Sequence, residues 1–181
     1  MEIRKTQAAC RSQNDDCRWL IALISDTGLR LSEAAGLLIS DIHLSDPVPH
    51  IAVKPNPLRP LKTSGSERVV PLVGASLWAA ERLCEAIADP SSAAFPRYTK
   101  SGQVQANSAS AALNKWLKGY VSSGCTIHSF RHSMRDRLRA VECPTEMVDQ
   151  IGGWSRGSVG QGYGSGYPLD AMHRYLYKIV L

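Results

Sequence analysis

No stretch of the 181-residue chain approaches the roughly 20 consecutive apolar residues that a membrane-spanning helix needs. The N-terminus, MEIRKTQAAC, has no apolar core of the kind a secretory leader carries. No membrane partner is expected, and the chain reads as soluble and cytoplasmic. Cysteine is sparse and unpatterned: Cys10, Cys17, Cys84, Cys125 and Cys143 are odd in number and form no CxxC pairing with histidines at ligand spacing. That argues against a zinc site or a disulfide scaffold and predicts reduced thiols. There is no internal repeat, no long run of one charge and no convincing linker, so residues 1–181 are expected to form a single domain. Acidic residues do not cluster beside the histidines, which disfavours a metal-dependent nuclease.

What is present is a 44% hydrophobic composition, enough for a real core, and an excess of 21 Lys and Arg over 16 Asp and Glu. The formal charge of +5 favours a polyanionic partner. After a polar start, apolar residues at Trp19, Leu20, Leu23 and Ile24 predict a helix over Asp15 to Asp26, ending at Thr27-Gly28. A short helix is predicted from Leu31, capped by Ser32, with Ala34, Ala35, Leu37 and Leu38 buried. Ile51–Val53, Leu58–Thr63 and Arg68–Leu72 read as strands of a small three-stranded antiparallel sheet with a tight hairpin at Ser64-Gly65-Ser66. Helical periodicity returns at Gly74 to Ile87 and after Gln105, then over His128–Val141, Pro144–Ile151 and Leu169–Val180. The expected class is α+β, mainly helical.

Four short segments carry possible chemistry. In Thr27-Gly28-Leu29-Arg30-Leu31-Ser32-Glu33 an arginine sits in a turn just ahead of a helix, placed to meet an anion together with the helix amides. Lys62, in Leu61-Lys62-Thr63-Ser64-Gly65-Ser66-Glu67-Arg68, sits at a hairpin tip, where its ammonium can hold or donate a proton where a polyanionic strand passes. His128 and Arg131 in His128-Ser129-Phe130-Arg131-His132 are three apart and share a helix face; His132 points elsewhere and is assigned no chemistry. Trp154 follows Gly152-Gly153 and offers a donor-only indole N–H, with Tyr163 nine positions further on and Tyr167 beyond. Each segment alone reads as well as an ordinary surface or core residue.

In combination, Arg30, Lys62, His128, Arg131, Trp154 and Tyr163 resemble, in order and local context, the catalytic set of the tyrosine recombinases of the phage integrase family. The pattern is an arginine in a T-G-x-R-x-S-E turn, a hairpin lysine, an H-x-x-R pair, and a histidine or tryptophan after glycine with the tyrosine nine residues later. The resemblance spans residues from about 15 to 181. Tryptophan at position 154 replaces the commoner histidine, and either can donate to a phosphate oxygen. The helical N-terminal core-binding domain of such integrases is not found within this sequence.

The resemblance implies site-specific DNA recombination, integrating or excising a prophage or mobile element through a 3′-phosphotyrosine on Tyr163, with no metal or other cofactor. Its partners would be double-stranded DNA and further copies of the chain in a tetrameric synapse. Arg30, Arg131 and Trp154 would hold the phosphate, Lys62 would act as general acid, and His128 would orient the phosphate or help deprotonate the tyrosine. The alternatives are a type IB topoisomerase relaxing DNA by the same chemistry and a non-catalytic DNA-binding module. Leu169, Met172, Leu176 and Ile179 define an apolar stripe on the last helix, expected to dock on a neighbouring protomer.

Overall fold

The computed structural model describes residues 2–59, 67–154 and 166–181. Lys62, the 64–66 turn, Tyr163 and most of the glycine-rich run before Tyr167 therefore lie outside the described residues. Eight helices are described: α1 (Glu2–Gln13), α2 (Asp16–Thr27), α3 (Leu31–Ala35), α4 (Gly74–Ala86), α5 (Ala106–Leu117), α6 (Ser129–Ala140), α7 (Thr145–Gly152) and α8 (Leu169–Lys178). The strands are β1 (Ile42–His43), β2 (His50–Val53), β3 (Arg68–Pro71), β4 (Thr99–Lys100) and β5 (Gln103–Val104). The architecture is the expected α+β fold, mainly helical.

The fold is organised around α2, whose residues Leu20 to Thr27 are all buried. Asp15 caps it by accepting the Arg18 N–H at 3.0 Å, and Gly28 ends it in the left-handed conformation with φ of 60°. Helix α1 was not legible as a helix because the face it buries is partly polar. Gln7 there donates to Ser25 Oγ at 2.9 Å and Asp26 Oδ1 at 3.1 Å, so no apolar period marks it. Asp26, 1% exposed, also receives the Arg137 guanidinium at 3.0 Å and the Ala75 N–H at 2.9 Å. One buried carboxylate thus joins α1, α2, α4 and α6, its charge paired and hydrogen-bonded as burial requires.

The three-stranded sheet is antiparallel in the order β1-β2-β3. Two of its strands fall where the alternation placed them, but the third corrects the expectation. It is Ile42–His43, too short to show alternation, paired as Ile42↔Ile51 and His43↔His50. Of the expected strand over Leu58–Thr63, Leu58 and Arg59 are not strand and the rest lies outside the described residues. Asn56 and Arg59 close a turn through reciprocal backbone bonds of 3.0 and 3.2 Å, and the Arg59 guanidinium is buried, donating to the Glu33 carbonyl at 2.7 Å. The cap of α3 is also corrected. Arg30 is the N-cap, its N–H donating to Glu33 Oε2 at 2.9 Å, while Ser32 lies exposed inside the helix. A second hairpin, β4–β5, turns at Ser101 and Gly102, both at positive φ, and was missed because two-residue strands carry no period.

The expectation that α8 docks on a neighbouring protomer is overturned. Met172 and Leu176 are fully buried and Ile179 is 4% exposed within the chain's own core. Arg137 donates to the Ile179 carbonyl at 3.0 Å and to the Ser25 carbonyl at 2.5 Å, pinning the end of the helix onto α2. The apolar stripe was read correctly; what covers it is the same molecule. Leu176→Ala is therefore expected to destabilise the monomer by about 2–5 kcal/mol, the range for emptying a packed leucine site, as measured by urea denaturation. A loss below about 1 kcal/mol would mean that the helix is not a part of the monomer's core.

Candidate active site

The site forms where four segments distant in sequence meet: the α2–α3 turn, β3, α6 and the C-terminal end of α7. Gly28 makes the first junction possible. Its φ of 60° suits glycine, and a Cβ there would lie 2.6 Å from Met134 Sδ on α6, so the turn packs directly on that helix. Arg131, in the first turn of α6 and 3% exposed, donates from one guanidinium nitrogen to the Gly28 carbonyl and from the other to the Gly152 carbonyl at 2.9 Å.

Three guanidinium groups are spent on successive carbonyls at the end of α7. Arg68 Nε reaches Ile151 at 3.0 Å, Arg131 reaches Gly152, and Arg30 reaches Gly153 at 2.8 Å. The last carbonyls of a helix have no partner within it and carry partial negative charge, so cations there are doubly favoured. The consequence for Trp154 is positional. It follows directly on Gly153, a left-handed cap with φ of 62°, where a Cβ would meet the Arg68 guanidinium at 2.7 Å. A Cβ on Gly152 would lie inside the indole ring. Both glycines before Trp154 are thus required by packing. The Arg131 and Arg135 guanidinium carbons lie over the indole at 4.9 and 5.0 Å, and cation–π attraction holds the ring. Arg135 is itself held by Asp149 at 3.4 Å.

Glu33 is the counter-charge at the centre. It is 4% exposed and receives Arg68 at 2.7 and 3.2 Å and Arg30 at 2.6 Å. Burial alone would raise its carboxyl, but the hydrogen bond and charge of Arg68, then the bonds from Arg30, outweigh it and hold the pKa at about 2. The α3 amide that the sequence offered to an anion is thus already taken by Glu33. Since the unperturbed value is 4.5, this pairing stabilises the fold fully above pH 4.5 and is lost as pH falls towards 2. Glu33→Gln is expected to cost on the order of 3 kcal/mol at neutral pH. Denaturation at several pH values checks it: the difference between wild type and variant should shrink between pH 4.5 and 2, and a pH-independent difference would contradict the assignment.

The pKa of Arg131 is also lowered, to about 10, first by burial and then by the charges of Arg30 and Arg68, with Glu33 opposing. It stays cationic at neutral pH, in a corner where among the described residues three guanidinium groups surround one buried carboxylate. Excess positive charge of this kind is relieved by an anion. Arg30, whose side chain is 36% exposed, faces solvent from the same corner. His128 is exposed at the start of α6. Its pKa is lowered by loss of hydration first, then by His132, Arg131 and Arg30, which favours the neutral imidazole. Contrary to the sequence expectation that it points elsewhere, His132 meets His128 edge-on at 5.1 Å and contributes to that shift.

The structure brings Arg30, Arg131 and Trp154 together, with His128 within their electrostatic reach; Lys62 and Tyr163 lie outside the described residues. Three supporting residues were not assigned roles from sequence. Glu33 was signalled by its spacing of three from Arg30, and Arg68 by a charge at the head of an apolar strand. Arg135 carried no signal, since its partners Asp149 and Trp154 are distant in sequence.

A helical core packed on a small antiparallel sheet thus brings two arginines and an indole together at the ends of three helices. The fold is similar to that of the XerH site-specific recombinase bound to difH substrate in a pre-cleavage complex, with TM-score 0.60 and 19% identity over 97% of this chain and 48% of that one. The post-cleavage complex on palindromic difH gives TM-score 0.59 and 20% identity, over 96% and 47%. The Tn1549 transposon integrase in complex with circular intermediate DNA gives 0.51 and 20%, over 88% and 56%. The chain spans about half the length of the XerH chains it matches. No curated protein sequence matches it. Residues 2–166 match the model of the phage integrase family, and the chain belongs to that family.

Proposed function

We propose that the chain is the catalytic domain of a site-specific DNA recombinase that integrates or excises a mobile element, cutting and rejoining DNA through a 3′-phosphotyrosine on Tyr163. The observation that carries this reading is the cationic corner, where Arg30 and Arg131 are locked to adjacent carbonyls around a single carboxylate. A guanidinium fork fixed before substrate arrives suits a phosphodiester whose charge grows in the transition state.

In this mechanism Tyr163 Oη attacks phosphorus, the new O–P bond replaces the P–O5′ bond, and the phosphoester energy is kept for rejoining. Lys62 gives a proton to the leaving O5′, and His128, favoured in its neutral form, orients the phosphate or takes the phenol proton. Trp154 adds a neutral donor. No step calls for a metal or other cofactor. Double-stranded DNA is the partner, acted on by several copies of the chain in a tetrameric synapse, in the cytoplasm. No described helix is long and apolar enough to cross a membrane.

The test is incubation with nicked half-site DNA from the native element in excess chelator, followed by a denaturing gel. A covalent protein–DNA band is expected. Relaxation of supercoiled plasmid without recombination would favour a type IB topoisomerase, and DNA binding without any adduct would favour a non-catalytic module.

A further inference from the structure

The β1–β2 hairpin carries a cluster that the proposed chemistry does not use. His43 and His50 are directly paired across the two strands, and their rings stack with centroids 4.7 Å apart and 9° between planes. The connecting loop brings in Asp46, whose Oδ2 lies 4.0 Å from His43 Nδ1 and 3.8 Å from His50 Nδ1. One ligand atom from each of the three falls within 4.8 Å of the others. The Val48 carbonyl accepts a hydrogen bond from His50 Nδ1 at 2.9 Å, a proton that an ion at that nitrogen would displace.

We propose that this hairpin is a binding site for one divalent transition-metal ion of the zinc class, held by His43, Asp46 and His50. Two imidazoles and a carboxylate are the donor set such borderline ions prefer over calcium or magnesium, which favour oxygen alone. Metal–ligand bonds of about 2.1 Å place tetrahedral donors roughly 3.4 Å apart. The two aspartate–histidine separations must therefore close by about half an ångström, and the histidine pair, within 4.8 Å, by up to about 1.4 Å, through the broad terminal torsions of histidine and aspartate. The backbone brings the ligands together, and coordination turns the two imidazoles out of their stacked, nearly parallel arrangement so that both in-plane lone pairs meet the ion. Strand pairing fixes His43 against His50, β2 is held on its other side by β3, and Pro47 and Pro49 stiffen the loop that carries Asp46. The Val48 carbonyl and water would complete the coordination. No cysteine takes part, which is why cysteine spacing gives no sign of the site.

The site is separate from the cationic corner. His50 is at one end of β2, while Val53 at the other end pairs with Arg68, the arginine that holds Glu33. The ion would clamp the hairpin rather than touch the phosphate, so binding should raise the melting temperature without being needed for strand cleavage.

Calorimetric titration of the whole chain with zinc ion alone, in chelator-freed buffer, tests the proposal. One ion per chain is expected, with affinity reduced at least about tenfold in each of His43→Ala, Asp46→Asn and His50→Ala. Zinc should raise the melting temperature of the wild type and not that of His43→Ala. Cobalt should bind without a thiolate charge-transfer band, because five free cysteines offer an alternative. His43 and Asp46 are partly exposed, so their variants should melt like wild type in chelator and carry the test even if His50→Ala fails to fold. Absence of saturable one-to-one binding, unchanged affinity in His43→Ala and Asp46→Asn, or a thiolate band would each overturn the site.

Discussion

Tyr163→Phe is expected to abolish the covalent protein–DNA adduct while leaving fold and DNA binding intact. The substitution removes one oxygen and nothing else, and that oxygen is the proposed nucleophile. Loss of a nucleophile costs on the order of a million-fold where it has been isolated in other covalent enzymes, so the band should fall below detection. Tyr167 is the next tyrosine after Tyr163 in the sequence, and the structure gives it a different occupation. Its backbone is clamped by the Gln150 side chain, which accepts the Tyr167 N–H at 2.8 Å and donates to its carbonyl at 3.0 Å, and its ring packs against the core. Tyr167→Phe should therefore leave the adduct in place. An adduct retained in Tyr163→Phe and lost in Tyr167→Phe would reverse the assignment.

Arg131→Ala should slow cleavage by about two to three powers of ten, the range for losing one preorganised donor to a developing negative charge. The expected loss has a second component, because Arg131 also ties the Gly28 turn to the end of α7 and lies over Trp154. Arg131→Lys should restore little. An ammonium is a point charge and cannot span both carbonyls while stacking on an indole. Single-turnover cleavage at saturating DNA, normalised to the folded fraction from melting curves, separates chemistry from stability. If cleavage per folded molecule is unchanged in Arg131→Ala, the residue is structural and the phosphate is held by others. Arg30→Ala gives the comparison: its side chain is more exposed, so the chemical loss should come with a smaller drop in melting temperature.

The sequence by itself determined what depends on neighbours a few residues apart. Helical period marked α2, α4, α5, α6, α7 and α8 to within a few residues, and alternation marked β2 and β3, because a helix or strand face repeats every few positions. The shared face of His128 and Arg131 was legible for the same reason, as was the apolar stripe of α8. Local period failed where burial was polar, as at Gln7 in α1, or where an element was only two residues long, as in β1 and β4. Tertiary structure alone decided how the pieces meet. Arg68 finds Glu33 across 35 residues, Arg131 finds Gly28 across 103, and Arg30 finds Gly153 across 123. Nothing in local periodicity encodes such separations; they are set by α2, α6 and α7 packing so that the unpaired carbonyls of one helix end must be met by the nearest cations. The docking of α8 was decided in the same way. An apolar stripe states only that something must cover it, and the packing of Met172, Leu176 and Ile179 against the chain's own core settled what does.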